Sequence, residues 1–505
     1  MESSIIYYLE KTIKKHGVKK AFIESEEKYI TYDDFGKESK KIATCILKNY
    51  NLKNKPIAIF IDKNIDALKS MFGVLYSRNF YCIFDTMSPK NRIDTIVDTL
   101  KPELIITNTK NFNKINEYNY GIEILNIDEI KNKVDENLLN KVDKTRCDAD
   151  SAYVLFTSGS TGVPKGSVIT HKSLISYTKW FMTTFNITSK TIFGNQTPFY
   201  FSMSVSDIYS TIMSGASFCI IPKINFSFPV KLMEYLNTHK INTIYWVPSA
   251  LSIVANLGTF DYVKPKYLKK VLFAGEVMSM PQLNIWRKYL PKLMYANLFG
   301  PTETTDICTY YIVNRNFKDN ETLPIGIACE NSEVILVNEE GKEAANGEVG
   351  EIYVKGSIVG SGYYNNPDKT NSAFVQNPIN HSYLETVYKT GDLAKYNKYG
   401  ELEYLGRKDF QIKHMGYRIE LGEIETNINA LKGLTICACI YQNDNIVLYF
   451  ESTSLSEEDV IAFANKKLVK YMRPNKVIKL PKMPYNANGK IDRVKLKEMF
   501  NERKN

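Results

Sequence analysis

The run Thr157-Ser158-Gly159-Ser160-Thr161-Gly162-Val163-Pro164-Lys165-Gly166 carries the strongest chemical signal in the chain. It follows a short apolar stretch, Ala152 to Phe156, that reads as a strand. Glycines let the backbone approach a ligand closely, successive N–H groups and hydroxyls donate to phosphate oxygens, and Lys165 adds a compact positive charge. Such a loop suits a polyphosphate. It is not a Walker A loop, because no Gly-Lys-Ser/Thr follows Gly159 at the required spacing, and no kinase-type lysine strand accompanies it.

Five more segments follow in order: Phe273-Ala274-Gly275-Glu276, Asn297-Leu298-Phe299-Gly300-Pro301-Thr302-Glu303-Thr304, Tyr388-Lys389-Thr390-Gly391-Asp392, Gly406-Arg407-Lys408-Asp409 and Asn488-Gly489-Lys490. Together with the phosphate-type loop they resemble the adenylate-forming superfamily of acyl- and aryl-CoA synthetases, luciferases and nonribosomal peptide adenylation domains. The resemblance covers nearly the whole chain. It implies ATP-dependent, Mg2+-assisted conversion of a carboxylic acid to an acyl-adenylate, then acyl transfer to a thiol.

Under that resemblance Thr157, Ser158, Gly159, Ser160, Thr161 and Gly162 hold phosphates together with Lys165. Asn297, Phe299 and Gly300 serve the nucleotide, and the Phe299 ring offers the adenine a flat apolar face. Thr302 hydrogen-bonds a phosphate, and Glu303 is a hard oxygen ligand for the magnesium that accompanies ATP. Asp392 accepts from both ribose hydroxyls, with Arg407 on the ribose and phosphate side. Lys490 bridges the acid and the α-phosphate, Asp409 is the hinge of a mobile domain, and Gly416 lines the approach of the thiol. Outside the motifs each residue has a plainer reading: a core aromatic, a solvated Glu, a turn Asp or one of many surface lysines.

The closest family resemblance is to D-alanine:D-alanyl carrier protein ligases, which carry DFQIK, GYRxELxEIE and ANGKIDR in the same places. This implies a carrier-protein phosphopantetheine as acceptor, with CoA as the alternative thiol. By the same resemblance the acid pocket is lined by Phe201, Ser202, Met203, Ser206, Tyr245, Leu272, Ala274, Leu298, Asp306 and Ile307. Amino-acid-activating relatives place an Asp where this chain has Ser202, and Ser202 cannot neutralise an ammonium; Ala274 replaces the Cys usual in D-alanine ligases. The acid is therefore expected to be a non-standard amino acid or an aryl acid. Asp306 meets either a remote amine or a phenolic hydroxyl, or is merely a solvated Asp after a turn. D-alanylation of the cell envelope is the competing reading. A catalytically dead nucleotide sensor would have lost Lys490, Asp392 or Glu303, and all three are present.

Positioning these groups requires a large layered framework. Apolar runs at Pro56 to Ile61, Glu103 to Ile106 and Ala152 to Thr157 alternate with helical patterns at Asn64 to Leu75 and Arg92 to Leu100, which predicts α/β layers with parallel sheets. Short strands between Gly-bearing turns, roughly 324 to 364, predict an antiparallel β subdomain. Residues 1–408 are expected to form the N-terminal adenylation core, and 409–505 a small mobile α+β C-terminal domain. A chain of 505 residues exceeds one growing core, so more than one domain is expected.

Composition excludes little else. The 65 basic and 55 acidic residues are dispersed, which argues against nucleic acid as partner. Eight scattered cysteines without a CxxC pair suit reduced thiols rather than a metal cage. The N-terminal MESSIIYYLEKTIKKHG reads as an amphipathic helix without the basic start and apolar run of a signal peptide, and no stretch is long enough to span a membrane, so a cytoplasmic location is expected.

Overall fold

A computed structural model describes residues 2–158, 163–408, 411–485 and 491–502. Gly159, Ser160, Thr161, Gly162, Asp409 and Lys490 lie outside the described residues. The chain divides into two compact units, one comprising Met1–Thr86, Thr99–Leu155 and Gly166–Lys408, the other Met87–Asp98, Phe156–Lys165 and Asp409–Asn505.

The first unit is built on large, mostly parallel sheets. A nine-stranded sheet runs in the order Ile327–Ala328, Thr309–Ile312, Met294–Phe299, Lys270–Phe273, Thr243–Trp246, Ile192–Asn195, Ser217–Ile220, Lys20–Ile23 and Tyr29–Thr31. From Met294–Phe299 to Lys20–Ile23 all neighbours are parallel, and the edges are antiparallel. Helices cover such a sheet on both faces, so strands like Thr243–Trp246 and Ser217–Ile220 are buried at every position and read as continuous apolar runs. A six-stranded sheet repeats the arrangement around Pro56–Phe60, whose parallel neighbours are Phe80–Ile83 and Leu104–Thr107.

The predicted elements appear with small shifts. The expected helix at Asn64 to Leu75 spans Ile65–Tyr76, because Asn64 is its N-cap and accepts a hydrogen bond from the Ala67 amide at 3.0 Å. The amphipathic N-terminus forms the helix Ile5–His16, with Ile5, Ile6 and Leu9 buried. The Gly-rich stretch belongs to a five-stranded antiparallel sheet, Ser332–Val337, Gly350–Gly356, Thr386–Tyr396 and Phe374–Gln376, with Leu402–Arg407 paired to Thr386–Tyr396. That last pairing sets Asp392 directly opposite Arg407.

The second unit holds a hairpin, Gln411–His414 with Tyr417–Glu420, and a three-stranded sheet of Ile436–Gln442, Asn445–Glu451 and Lys476–Leu480. Met415 and Gly416 turn the hairpin with φ of 52° and 81°. Helices Leu421–Asn429, Glu457–Lys467 and Arg493–Glu502 cover the small sheet, and its core is separate from that of the first unit. No helix of the described residues is long and apolar enough to cross a membrane.

Candidate active site

Asp392 lies in the long strand Thr386–Tyr396 and is 2% exposed. Arg407 Nη1 donates to its Oδ2 at 3.0 Å and to the Thr390 carbonyl at 2.9 Å. Among the described residues its other oxygen, Oδ1, has no hydrogen-bond partner. A buried carboxylate oxygen without a donor is costly, and native structures keep such atoms where a ligand supplies the donor.

The segment after the strand Met294–Phe299 is shaped by Gly300. A Cβ added there would lie 2.4 Å from the Asp306 carbonyl oxygen and 2.5 Å from Ile307 Cα, so only glycine allows the chain to fold back on itself. Phe299 is buried against the Tyr404 ring, centroids 5.4 Å apart, and Asn297 donates to the Pro324 carbonyl at 2.8 Å. Glu303, in the short turn Thr302–Thr304, is fully buried, and its carboxylate is held by the Tyr363 hydroxyl at 2.6 Å. Thr157, which ends the strand Ser151–Thr157, has a buried hydroxyl that is unpartnered among the described residues. Ser158 donates to the Arg418 carbonyl at 2.7 Å, and Lys165 opens the strand Lys165–Thr170.

The acid-pocket residues predicted from sequence converge in the first unit. Tyr245 and Leu272 face each other on adjacent parallel strands, and Ala274 follows the second of these. Ser202 precedes the helix Met203–Ser214 without capping it; its hydroxyl lies instead 3.3 Å from that of Thr302. Met203, Ala274, Leu298 and Ile307 are buried and Phe201 is half-buried.

Asp306 is the centre of this group. It is 2% exposed, not solvated, and its Oδ2 accepts from Ser206 at 2.9 Å, Tyr245 at 3.0 Å and Tyr177 at 3.1 Å. Tyr177 and Ser206 are themselves 2.6 Å apart, and either hydroxyl can donate in that contact, so two protons serve three contacts. Burial pushes the Asp306 carboxyl up to about 6, against the pull of hydrogen bonds from Ser206, Tyr245, Ser202 and Tyr177. The preceding Thr305, a β-branched residue, is held at φ 69° with its hydroxyl on the Ile358 carbonyl at 2.6 Å. Strain of that kind persists where surrounding structure over-determines it, as at a ligand site.

On the helix Met203–Ser214, next to Ser206, Asp207 accepts from the Asn195 side-chain amide at 2.8 Å, while Lys63 donates to the Gln196 carbonyl at 3.0 Å. Burial raises Asp207 to about 7 and lowers Lys63 to about 7, each offset in part by attraction to the other.

The AMP-binding enzyme family matches residues 9–364. The chain belongs to that family. Among its AMP-binding relatives, Tyrocidine synthase 1 of Brevibacillus parabrevis is 29% identical over 94% of this chain, but the chain spans only 43% of that protein. The D-alanine--D-alanyl carrier protein ligase of Bacillus licheniformis is 30% identical, over 96% of this chain and 98% of that one. The crystal structure of the Vibrio cholerae adenylation domain AlmE in complex with glycyl-adenosine-5'-phosphate has a TM-score of 0.86 at 20% identity, covering 99% of this chain and 98% of that chain, a likeness of fold. The resemblance and the layered α/β architecture read from the sequence are thereby borne out.

Sequence reasoning about this AMP-binding enzyme missed Tyr177. Its helix, His171–Thr184, carries no motif, and it meets Asp306 across 129 positions of chain. Only the folded chain brings its hydroxyl to Asp306 and Ser206.

Because the folded-state pKa of Asp306 is raised, the folded chain holds that proton more tightly than the unfolded chain. The group therefore costs stability as pH rises from about 4 to 6, and the cost is complete at neutral pH, roughly 3 kcal/mol. Without substrate, Asp306→Asn is expected to unfold at a higher temperature than the parent at pH 7.5, with the difference shrinking by pH 4.5. Thermal melts at the two pH values check this, and an equal destabilisation at both would contradict it.

Proposed function

We propose that this chain is an AMP-forming acid-thiol ligase, which adenylates a small carboxylic acid with ATP and passes the acyl group to the phosphopantetheine thiol of a carrier protein. The observation that carries the reading is Asp392. Its buried carboxylate has one oxygen engaged by Arg407 and the other without a donor among the described residues, in the Thr390-Gly391-Asp392 segment of the strand Thr386–Tyr396. A ribose diol brings the missing O–H donors.

The remaining roles follow the chemistry of each group. Thr157, Ser158, Gly159, Ser160, Thr161, Gly162 and Lys165 take the phosphates, and the unpartnered Thr157 hydroxyl supports this. Phe299, Gly300 and Asn297 serve the adenine side. Glu303 would hold Mg2+: its carboxylate is a hard oxygen donor, and Tyr363 orients it. That fits a cation bound by one carboxylate and substrate phosphates rather than by a protein cage. When bound, magnesium neutralises charge on the polyphosphate.

A carboxylate oxygen of the acid attacks the α-phosphorus, and the bond to the β-phosphate oxygen breaks with departure of pyrophosphate. Lys490 and Lys165 stabilise the charge that develops, and catalysis is chiefly positioning. The thiol then attacks the acyl carbon, forming the thioester and releasing AMP. Residues 409–505 would move about Asp409 between the two steps, with Gly416 along the path of the thiol.

D-alanine transfer to a carrier protein is the second reading, favoured by the end-to-end match to the Bacillus licheniformis ligase. Acyl transfer to CoA is chemically equivalent, and a cytoplasmic site of action accords with an ATP-consuming reaction. ATP–pyrophosphate exchange with D-alanine, L-alanine, glycine, β-alanine, ω-amino acids, benzoate and hydroxybenzoates, followed by an offer of holo carrier protein or CoA, tests these readings. Exchange driven by a small amino acid other than D-alanine is expected. A D-alanine preference would favour envelope D-alanylation, and absence of both exchange and AMP binding would reject adenylation.

A further inference from the structure

We propose that Arg315 is a positioning residue for the nucleotide: through Glu401 it fixes the hairpin that carries Asp392, Tyr404 and Arg407 against the strand that carries Asn297 and Phe299. The inference rests on the adenylation reading and adds to it a residue from outside the motifs.

A nucleoside with its adenine on Phe299 and its ribose on Asp392 must reach two different sheets. Phe299 ends the strand Met294–Phe299 of the nine-stranded sheet, whereas Asp392 belongs to the five-stranded antiparallel sheet. Both contacts form together only when the two sheets keep a fixed spacing, and a misplacement of about 1 Å weakens such a constellation markedly. Two links near Tyr404 help to hold that spacing. Its ring lies against Phe299, and two residues earlier the Leu402 backbone is bridged to the loop before Ile327–Ala328. There the Ile325 amide donates to the Leu402 carbonyl at 2.8 Å, and the Leu402 amide to the Gly326 carbonyl at 2.7 Å. The adjoining Pro324 carbonyl is the acceptor for Asn297, so a shift of this junction is felt beside Phe299.

Arg315 supplies the third link, one residue before that bridge. It follows the strand Thr309–Ile312, which pairs with Met294–Phe299. Its Nη1 and Nη2 donate to the two oxygens of the Glu401 carboxylate, each at 2.6 Å. Its Cζ lies 4.4 Å from the centre of the Tyr399 ring, 4.9 Å from that of Phe317 and 5.1 Å from that of Tyr311. Tyr399 lies in the hairpin turn and Tyr311 in the strand Thr309–Ile312, so one guanidinium joins the two sheets by hydrogen bonds and by ring contacts. The turn is preset to receive it: Asn397 Oδ1 accepts from the Tyr399 and Glu401 amides at 2.9 and 3.1 Å, and its Nδ2 donates to Glu401 at 3.0 Å. A single-point ion pair at this exposure, 29% and 13% for the two side chains, would contribute little. A bidentate fork held among three rings fixes direction as well as distance.

The test is calorimetric titration of AMP into the full chain, the parent against Arg315→Gln, Arg315→Lys, Glu401→Gln and the Arg315→Gln/Glu401→Gln double variant, at a temperature where thermal melts show each to be folded. Arg315→Gln is expected to weaken AMP binding about tenfold and to raise the ATP needed for half-maximal pyrophosphate exchange by a similar factor. The requirement for the most active acid of the exchange panel, and the maximal rate, should stay within about twofold of the parent. Arg315→Lys should recover only part of the loss, because an ammonium cannot form the fork or lie flat among the rings. The double variant should bind AMP no more weakly than the weaker single one, since both substitutions act through one pair. A lowered melting temperature with AMP affinity unchanged, equal weakening of AMP and of the acid, or additive losses in the double variant would each overturn the inference. Should Arg315→Gln not fold, Arg315→Lys and Glu401→Gln decide between the same outcomes. A parent that binds no AMP would remove the adenylation reading and this inference with it, whereas AMP held equally by the parent and every variant would remove the inference alone.

Discussion

Replacing Asp392 by alanine is expected to raise the ATP concentration needed for half-maximal pyrophosphate exchange by about a hundredfold, the loss of one or two charge-assisted hydrogen bonds. The side chain is 2% exposed, so water cannot easily stand in for it. Arg407→Ala provides the contrast. Both substitutions break the 3.0 Å pair, and both should lower stability, because removing one partner leaves a buried charge. Only Asp392→Ala also removes the acceptor for the ribose. Titration of AMP by calorimetry on the two variants separates the effects: a much larger loss of affinity in Asp392→Ala supports the assignment, and similar affinities in both would contradict it.

Lys490→Ala is expected to lower the rate of acyl-adenylate formation by about 10² to 10³, the usual loss when a group that stabilises transition-state charge is removed. The ATP requirement should change little, since a group that acts mainly in the transition state contributes to kcat rather than to ground-state binding. Transfer of the acyl group from a chemically prepared acyl-adenylate to a thiol should be spared. Pyrophosphate exchange and single-turnover thiolation, run side by side, make that comparison. Equal impairment of both half-reactions would mean that Lys490 supports structure or thiol transfer instead of the adenylation step.

The two substitutions draw on different kinds of information. Lys490 was chosen from Asn488-Gly489-Lys490 in the sequence, because its segment lies outside the described residues. Asp392 was also chosen from sequence, but its unpartnered oxygen and its bond to Arg407 come from the pairing of two strands. The sequence suggested a ribose ligand; the strand register sets that carboxylate opposite Arg407.

The framework was legible where a local pattern decides the backbone. Parallel strands buried on both faces must be continuously apolar, so Pro56 to Ile61 announced itself and is observed as Pro56–Phe60. Ends were less certain because capping and fraying are set by single hydrogen bonds: the strand expected at Glu103 to Ile106 lies at Leu104–Thr107. Gly300 shows a local rule with a remote cause. Its place in Asn297-Leu298-Phe299-Gly300 was visible at once, yet the reason is the backbone of Asp306 and Ile307 returning to within 2.5 Å of where a Cβ would stand.

The sequence by itself placed the chain in its family, because runs such as Thr157 to Gly166 and Asn297 to Thr304 are contiguous residues whose order survives as text. Only the tertiary structure decided what Asp306 is. From sequence it remained a solvated turn residue or a pocket acid, since charge state and burial depend on Tyr177, Ser206 and Tyr245, which lie 129, 100 and 61 positions away along the chain. Folding brings their hydroxyls onto one oxygen and excludes water from it. That convergence makes Asp306 a buried acid that holds its proton more tightly than an exposed one.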